Sequence, residues 1–337
     1  MRIELLDEQT APEADLRAAY EVARANELEL TPDWEPDSWE DFLAQARHPL
    51  SWRRTTRWVA RTDDDTIVGT VVLICAYLST NRHEAELWLD VAPMARRRGV
   101  GRSLLRAAAE HALADGRTLL DSGCREHGTG PAFAEAVGMV AKLRERRSGL
   151  RLDGLDRGLL EKWAAPVPGY ELVSWEGPTP AEWVERMARA EAVMNTAPLE
   201  DFEMEPTVLT PDELVERDTA RVAQGTTMWT VAAVDAVTNE VAGYTEIGFV
   251  QGRSTVSQGN TGVWPEHRNH GLGRLLKAEM LLRLLDRRPD VSAVETWNAG
   301  SNEPMLKINV ELGFEVVDWW WNLQGSTTDV LKRTTGP

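Results

Sequence analysis

Two stretches of the chain repeat one chemistry-bearing pattern. The first reads Val91-Ala92-Pro93-Met94-Ala95-Arg96-Arg97-Arg98-Gly99-Val100-Gly101-Arg102-Ser103-Leu104. The second reads Val263-Trp264-Pro265-Glu266-His267-Arg268-Asn269-His270-Gly271-Leu272-Gly273-Arg274-Leu275-Leu276. Both fit V-x-P-x-x-R-x-x-G-x-G-R-x-L, with seven matched positions at a constant offset of 172 residues. Glycines let the backbone turn sharply and let a ligand approach with no Cβ in the way. A helix starting there presents unpaired first-turn N–H groups and the positive end of its dipole. A strand, such a loop and a helix together form an anion cradle suited to a pyrophosphate. Other phosphate loops fit worse. A dinucleotide fingerprint needs a third glycine where Leu104 and Leu276 stand, and G-x-x-x-x-G-K-[ST] is absent.

The elements that must position these loops also repeat. Residues 2–6 correspond to 170–175, Ile67-Val68-Gly69-Thr70 to Val241-Ala242-Gly243-Tyr244, and Gly138-Met139 to Gly313-Phe314. A repeat this long signals two homologous domains rather than a solenoid. The expected division is 1–164 and 169–337, joined by the Pro-rich stretch 165–168. Each copy opens with a strand, followed by helices (14–26 and 38–46; 180–194 and 211–223). Three strands follow (57–61, 67–78 and 85–91; 228–234, 241–250 and 256–263), then the glycine loop, a helix, another strand and a short helix. The helix after the second loop repeats apolar residues at Leu275, Ala278, Leu282 and Leu285. The fold class expected is α+β, with a mostly antiparallel sheet in each copy.

Composition narrows the partners. Lys and Arg number 37 and Asp and Glu 54, a net charge of −17. That excludes a general nucleic-acid backbone binder and a protein held electrostatically on an anionic membrane. The charge is uneven: residues 1–168 hold 23 basic and 28 acidic groups (−5), and residues 169–337 hold 14 and 26 (−12). Cys75 and Cys124 are too few for a disulfide framework or a cysteine zinc cage. With no signal peptide or membrane span visible, a cytoplasmic protein is expected. Nine of the fourteen Trp lie from Trp163 onward, including Trp319-Trp320-Trp321. A strand of consecutive Trp presents both faces, so core packing or the wall of an acceptor pocket would suit them.

With the V-x-P strand end and R-x-x-G-x-G loop in both halves, the sequence resembles the GNAT superfamily of acyl-CoA-dependent N-acyltransferases. The second copy also resembles that family's later motif, N-x-x-A-x-x-x-Y-x-x-x-G-F, as Asn302 through Gly313-Phe314. Met194-Asn195-Thr196-Ala197-Pro198 and Thr296-Trp297-Asn298-Ala299 look like second halves of tandem members. The resemblance implies acetyl-CoA, or another short acyl-CoA, lying between splayed strands, and a small-molecule amine attacking it in a ternary complex. It assigns the acyl-CoA to Val91, Arg96, Arg97, Arg98, Gly99, Val100, Gly101, Arg102 and Ser103 in copy one. In copy two the assigned positions are Val263, Arg268, Asn269, His270, Gly271, Leu272, Gly273, Arg274, Asn298 and Asn302.

The copies differ at the reacting centre. The resemblance places a general-acid Tyr four residues before the late Gly, where copy two has Asn309 and copy one Ala134. Asn309 can hydrogen-bond a sulfur but not protonate it. Copy one has no counterpart of Asn302, so copy two is expected to be the catalyst. The base expected there is Glu246, aligned with Val72 of copy one. Catalytic silence, with acyl-CoA bound but not turned over, is the alternative. The run from Glu200 to Glu205 suits either collection of a cationic substrate or a solvated loop, and Glu86 and Asp90 read as a strand's polar face. His267 and His270 lack a third ligand for a metal, and Cys124 has no counterpart in copy two. Gly271→Val is expected to reduce turnover severely, whereas Gly99→Val mainly changes binding stoichiometry or stability; steady-state rates and acetyl-CoA titration of both variants check this.

Overall fold

The computed structural model describes residues 1–31 and 35–335. Alternating and continuous apolar runs give strands, three- and four-residue apolar spacing gives helices, and the two copies follow one order. The first copy runs β1 (Arg2–Leu6), α1 (Glu13–Leu30), α2 (Trp39–Arg47), β2 (Arg53–Arg61), β3 (Ile67–Ala76), β4 (Glu84–Val91), α3 (Val100–Ala114), β5 (Leu119–Arg125), α4 (Gly130–Val137), β6 (Val140–Arg151) and α5 (Arg157–Trp163). The second runs β7 (Tyr170–Glu176), α6 (Val184–Glu191), α7 (Pro211–Ala223), β8 (Thr226–Asp235), β9 (Val241–Val250), β10 (Thr255–Val263), α8 (Leu272–Arg287), β11 (Ala293–Ala299), α9 (Glu303–Leu312), β12 (Glu315–Ser326) and α10 (Thr327–Thr335). Eleven elements thus recur in the same sequence.

The compact units do not follow the repeat boundary. One comprises Met1–Arg144, Glu200–Glu205 and Trp320–Pro337, the other Glu145–Leu199 and Pro206–Trp319. In the first unit the strands run β1-β2-β3-β4-β5, and residues 320–326 of β12 close the sheet against β5. In the second, residues 145–151 of β6 pair with β11, and the order continues β10-β9-β8-β7. Each copy therefore lends its last strand to the other copy's sheet. The following helix goes with it: α10 packs on α3 and α4, and α5 on α8. The stretch 165–168 falls inside the second unit. Both sheets are mostly antiparallel, and among the described residues β4–β5 and β10–β11 pair in parallel.

Two expectations are adjusted. The helix expected over 180–194 is α6 followed by a 3-10 turn, Ala192–Thr196. Its start is delayed because Thr179 is tied to Asp218 by its N–H and its hydroxyl; its end tightens before Ala197-Pro198, where a residue preceding proline avoids the α region. The buried set of α8 is also wider than a single stripe, taking in Leu272, Leu275, Leu276, Lys277, Ala278, Met280, Leu281 and Leu284. Among the described residues no helix is long and apolar enough to cross a membrane.

The borrowed pieces are part of the first unit's core. Leu323 and Val330 are buried there, and Trp321 and Leu331 pack against them. Burying each large apolar side chain contributes about 1.5–3 kcal/mol, against about 5–15 kcal/mol for a whole domain. Ending the chain after Trp319 is expected to abolish the cooperative unfolding transition of the first unit. Differential scanning calorimetry of the truncated and full chains checks it; an unchanged set of transitions contradicts the exchange.

Candidate functional site

Each parallel pair is a short hinge. Strands β4 and β5 pair only at Glu84–Leu119, Ala85–Leu120 and Glu86–Asp121, and β10 and β11 only at Thr255–Ala293, Val256–Val294 and Ser257–Glu295. Beyond those rungs the strands run on to Val91 and Arg125, and to Val263 and Ala299, without pairing to each other. Each fork opens toward its glycine loop. There Gly99 (φ +81°) and Gly271 (φ +86°) are left-handed N-caps of α3 and α8, and a Cβ on either would meet nothing within 4 Å. The first helical hydrogen bonds are donated by Ser103 and Arg274, so the preceding helical N–H groups face the loop mouth unclaimed by the helix. Gly101 and Gly273 serve packing instead, since a Cβ there would come within 3.3 Å of Phe133 and 3.1 Å of Ile308.

Arg96 and Arg268 hold their loops in shape. Each turns its Nε back to the carbonyl of the strand's last residue, Arg96 to Val91 and Arg268 to Val263, both at 3.0 Å. The far end of Arg96 reaches Asn26 and Glu29, and that of Arg268 reaches the Thr196 hydroxyl at 2.6 Å. These arginines are loop staples, with their guanidinium groups already engaged. Arg97 and Asn269 take matching left-handed conformations, φ +61° and +64°. His267 pairs with the Tyr170 hydroxyl at 3.0 Å, and His270 Nδ1 lies 3.2 Å from the His267 carbonyl.

Copy two adds a feature at its fork that copy one lacks. Strand β10 shifts register on β9 between Gln258, opposite Ile247, and Thr261, opposite Thr245. Gly259 and Asn260 thus face the single residue Glu246, a bulge of the kind that re-aims side chains. Gly259 lies directly over Glu246, where a Cβ would sit 3.4 Å from that residue's Cβ and 3.6 Å from Oε2. The Glu246 side chain is 4% exposed. Burial, reinforced by the negative charge of Glu191, pushes its carboxyl up to about 7 against the pull of Arg221 and Arg217. Arg217 is committed to Glu191 through two hydrogen bonds of 2.5 and 2.6 Å. Burial works against the Arg217 charge, but its Glu191 partner keeps it firmly protonated. Two residues upstream of Glu246, burial holds the fully covered Tyr244 hydroxyl well above its usual range, facing Asn260.

Across the same fork, Asn309 is fully buried on α9 and donates from Nδ2 to Asn298 Oδ1 at 2.8 Å, while its own Oδ1 has no partner. Asn302 caps α9 by accepting from the Met305 N–H. Asn195 clamps both backbone groups of Thr207.

Copy one is built differently. Its β3–β4 ladder runs without a register shift. The Ser122 hydroxyl donates across the fork to the Leu87 carbonyl at 2.9 Å, and the Trp88 ring would meet a Cβ on Gly123 at 3.1 Å. Asp90 departs from the solvated reading: it accepts from Asn26 at 3.0 Å, and burial pushes it up to about 6. The acidic run Glu200–Glu205 belongs to the first unit, with Glu200, Asp201, Glu203 and Glu205 exposed as in a solvated loop. Asn81 binds Glu205 through three hydrogen bonds, and Gln324 pairs with both backbone groups of Glu203. Burial pushes the nearby Glu84 up to about 8 and the Cys124 thiol to about 11, which leaves that sulfur a poor nucleophile.

Residues 19–131, which include the first fork and glycine loop, match the acetyltransferase (GNAT) family. A solved tandem GNAT protein from the clavulanic acid biosynthesis pathway is 28% identical, over 97% of this chain and 99% of its own, with a TM-score of 0.76. Over its whole length the chain is similar to that tandem GNAT protein. Two more distant structures share the fold: a GCN5-related N-acetyltransferase from Sphaerobacter thermophilus (16% identical, 96% of each chain, TM-score 0.64), and the glucosamine N-acetyltransferase region of a fungal multi-domain GH3 β-N-acetylglucosaminidase (15% identical, 96% of this chain and 38% of that one, TM-score 0.66). No curated protein matches the sequence.

In this chain the second fork gathers Val263, the Asn269–Arg274 loop, Asn298 and Asn309, with Glu246 on the neighbouring strand. Sequence reasoning missed Glu191, Arg217, Gln258 and Lys277. Only Lys277 left a signal, a charge among the apolar positions of α8 where copy one has Leu105. Glu246 also has a stability consequence. An unfolded Glu loses its proton near pH 4.3, whereas the folded one keeps it up to about 7. Between those values the folded state binds more protons, so the stability contribution is full below the lower value and is lost as pH rises through about 7. Urea titrations from pH 4.5 to 7.5 are expected to show that decline, and Glu246→Gln to flatten it.

Proposed function

We propose that the protein is an acyl-CoA-dependent N-acyltransferase that moves acetyl to a small cationic amine, with turnover in the second copy. The observation that carries this reading is the buried Glu246 carboxylate set opposite a strand bulge, one strand from an open fork with a glycine-capped helix. Acetyl-CoA supplies an activated thioester acyl group. The family match over residues 19–131 supports that donor, and the cradle fits it: open space over Gly271, unclaimed N–H groups at the start of α8, and the edge of β10 that parts from β11 before Val263. In copy two, Asn269, His270, Gly271, Leu272, Gly273 and Arg274 would hold the phosphates, and Val263 would present its strand edge. In copy one, Arg97, Arg98, Gly99, Val100, Gly101, Arg102 and Ser103 form the matching cradle, with binding rather than turnover as its role.

Glu246 takes the proton from the incoming ammonium as the amide C–N bond forms and the thioester C–S bond breaks. A base whose carboxyl titrates near 7 is matched to that task at neutral pH. The bulged residues Gly259 and Asn260 leave strand backbone groups free to polarise the acyl carbonyl. Asn309, with its buried unpartnered Oδ1, orients the sulfur end without donating an acid proton. A thiolate of ordinary pKa, about 8.5, leaves with little assistance. Around Glu246 the acids Glu191 and Asp218, with Glu246 itself, outnumber Arg217 and Arg221, which supports a cationic acceptor.

Catalytic silence is the second reading, favoured by Asn309 and Ala134 standing where the family carries Tyr. Thiol release from acetyl-CoA with a panel of polyamines, amino sugars and amino acids separates the two. Turnover is expected with a cationic amine, falling as pH drops through about 7, because the base must be ionised. Glu246→Gln is expected to cost about 10²–10⁴ in kcat and to remove that acidic limb. Retained acetyl-CoA binding with no turnover of any amine defeats the enzyme reading.

A further inference from the structure

Lys277 is 1% exposed, on the face of α8 that packs against the sheet, and no part of the chemistry above uses it. Its Nζ donates to Gln258 Oε1 at 3.4 Å and lies 5.3 Å from the centre of the Phe314 ring. Burial alone pushes this amine down to about 7. Gln258 is itself buried, and its Nε2 donates to the Glu246 carbonyl at 2.7 Å and to Thr245 Oγ1 at 2.9 Å. The Thr245 and Thr261 hydroxyls meet at 2.7 Å. This chain of polar groups runs from α8 to both edges of the bulge, since Gln258 and Thr261 are the residues flanking it.

We propose that Lys277 is a positioning residue for acyl transfer, acting through Gln258 to hold the β10 bulge in register opposite Glu246; this rests on the reading of Glu246 as the base. The argument is one of donors and acceptors. The bulge removes a strand partner from the Glu246 carbonyl, and a buried carbonyl must be satisfied. The Gln258 amide takes over, but only with its NH₂ end toward β9. A primary amine, charged or neutral, always carries N–H donors. Placed at the other end of the amide, it selects the orientation in which Oε1 faces α8 and Nε2 faces Glu246. Without it, Oε1 would be buried unpaired, and the amide would lose the partner that sets its direction.

The protein carries its own control. At the positions matching Lys277, Gln258, Thr261 and Thr245 in helix and ladder register, copy one has Leu105, Leu87, Leu89 and Val71. There Leu105 is as buried as Lys277, the ladder shows no shift, and Val72 stands where Glu246 would be. A buried amine, the amide it orients, the bulge and the carboxylate are all present in one copy and all absent from the other. A lysine serving only to fill the core would have no reason to follow the bulge.

Lys277→Met keeps the volume and removes the donor; Lys277→Leu, the residue copy one uses, is the second variant should the first fail to fold. In the folded variant kcat is expected to fall about 10- to 100-fold with KM for acetyl-CoA changed by less than about threefold, as for a misplaced reacting group. Gln258→Met should fall alike, and the double variant should be no worse than Gln258→Met alone. Independently of turnover, amide hydrogen exchange across residues 255–263 should accelerate in Lys277→Met while β8 exchanges as before. Unchanged exchange, unchanged kcat, or losses that add in the double variant would each overturn the proposal. Wild-type protein that binds acetyl-CoA and acetylates no amine defeats the acyltransferase reading by itself, and exchange at 255–263 still decides whether Lys277 holds the bulge.

Discussion

Buried backbone N–H and C=O groups must find partners, and both units are organised around places where strand pairing stops supplying them. Parallel strands that pair for three rungs and then part leave two unpaired edges facing each other. Around each gap the chain supplies local substitutes. An arginine returns to the last strand carbonyl, a glycine at positive φ starts a helix, and the helix turns its free N–H groups toward the gap. Fork, staple and cradle are therefore consequences of one interruption in a hydrogen-bond ladder.

The same requirement explains how the copies differ at their forks. Copy one draws its fork together with Ser122 reaching the Leu87 carbonyl and the Trp88 ring lying over Gly123. Its Asp90 is spent on Asn26. Copy two opens a second interruption, the β10 bulge, and fills it with side-chain groups drawn from α8 and β9. That bulge brings backbone groups without ladder partners beside a carboxylate whose proton is poised near neutrality. A fold can repeat faithfully while the chemistry it supports does not, because the chemistry resides in a few buried polar contacts.

Much of the scaffold was legible in the chain itself. Strands at 2–6 and 241–250 and a helix at 211–223 coincide with β1, β9 and α7, where apolar periodicity and flanking turn residues agree. The glycine loops were legible because a positive-φ cap and a close helix contact each demand glycine. The arginine of the motif was visible as a fixed position, but its work was not: a guanidinium beside a phosphate cradle reads as a phosphate ligand until the Val263 carbonyl is seen 3.0 Å away. Glu246 could be named from its place on an apolar strand, whereas its partners Glu191 and Arg217 lie on helices whose facing depends on packing.

By itself the sequence determined a repeated nine-element order, two glycine cradles and an unequal charge between the halves. The tertiary structure alone decided which sheet each final strand joins. Strand β12 completes β5 of the first unit and β6 completes β11 of the second. The physical reason is symmetry between the copies. Homologous sheets offer equivalent edges, so the same strand satisfies its hydrogen bonds in either one, and periodicity records a strand's burial but not its neighbour. The buried line from Lys277 through Gln258 to Glu246 was equally beyond the sequence, because a bulge is a property of two strands together and only their register creates it.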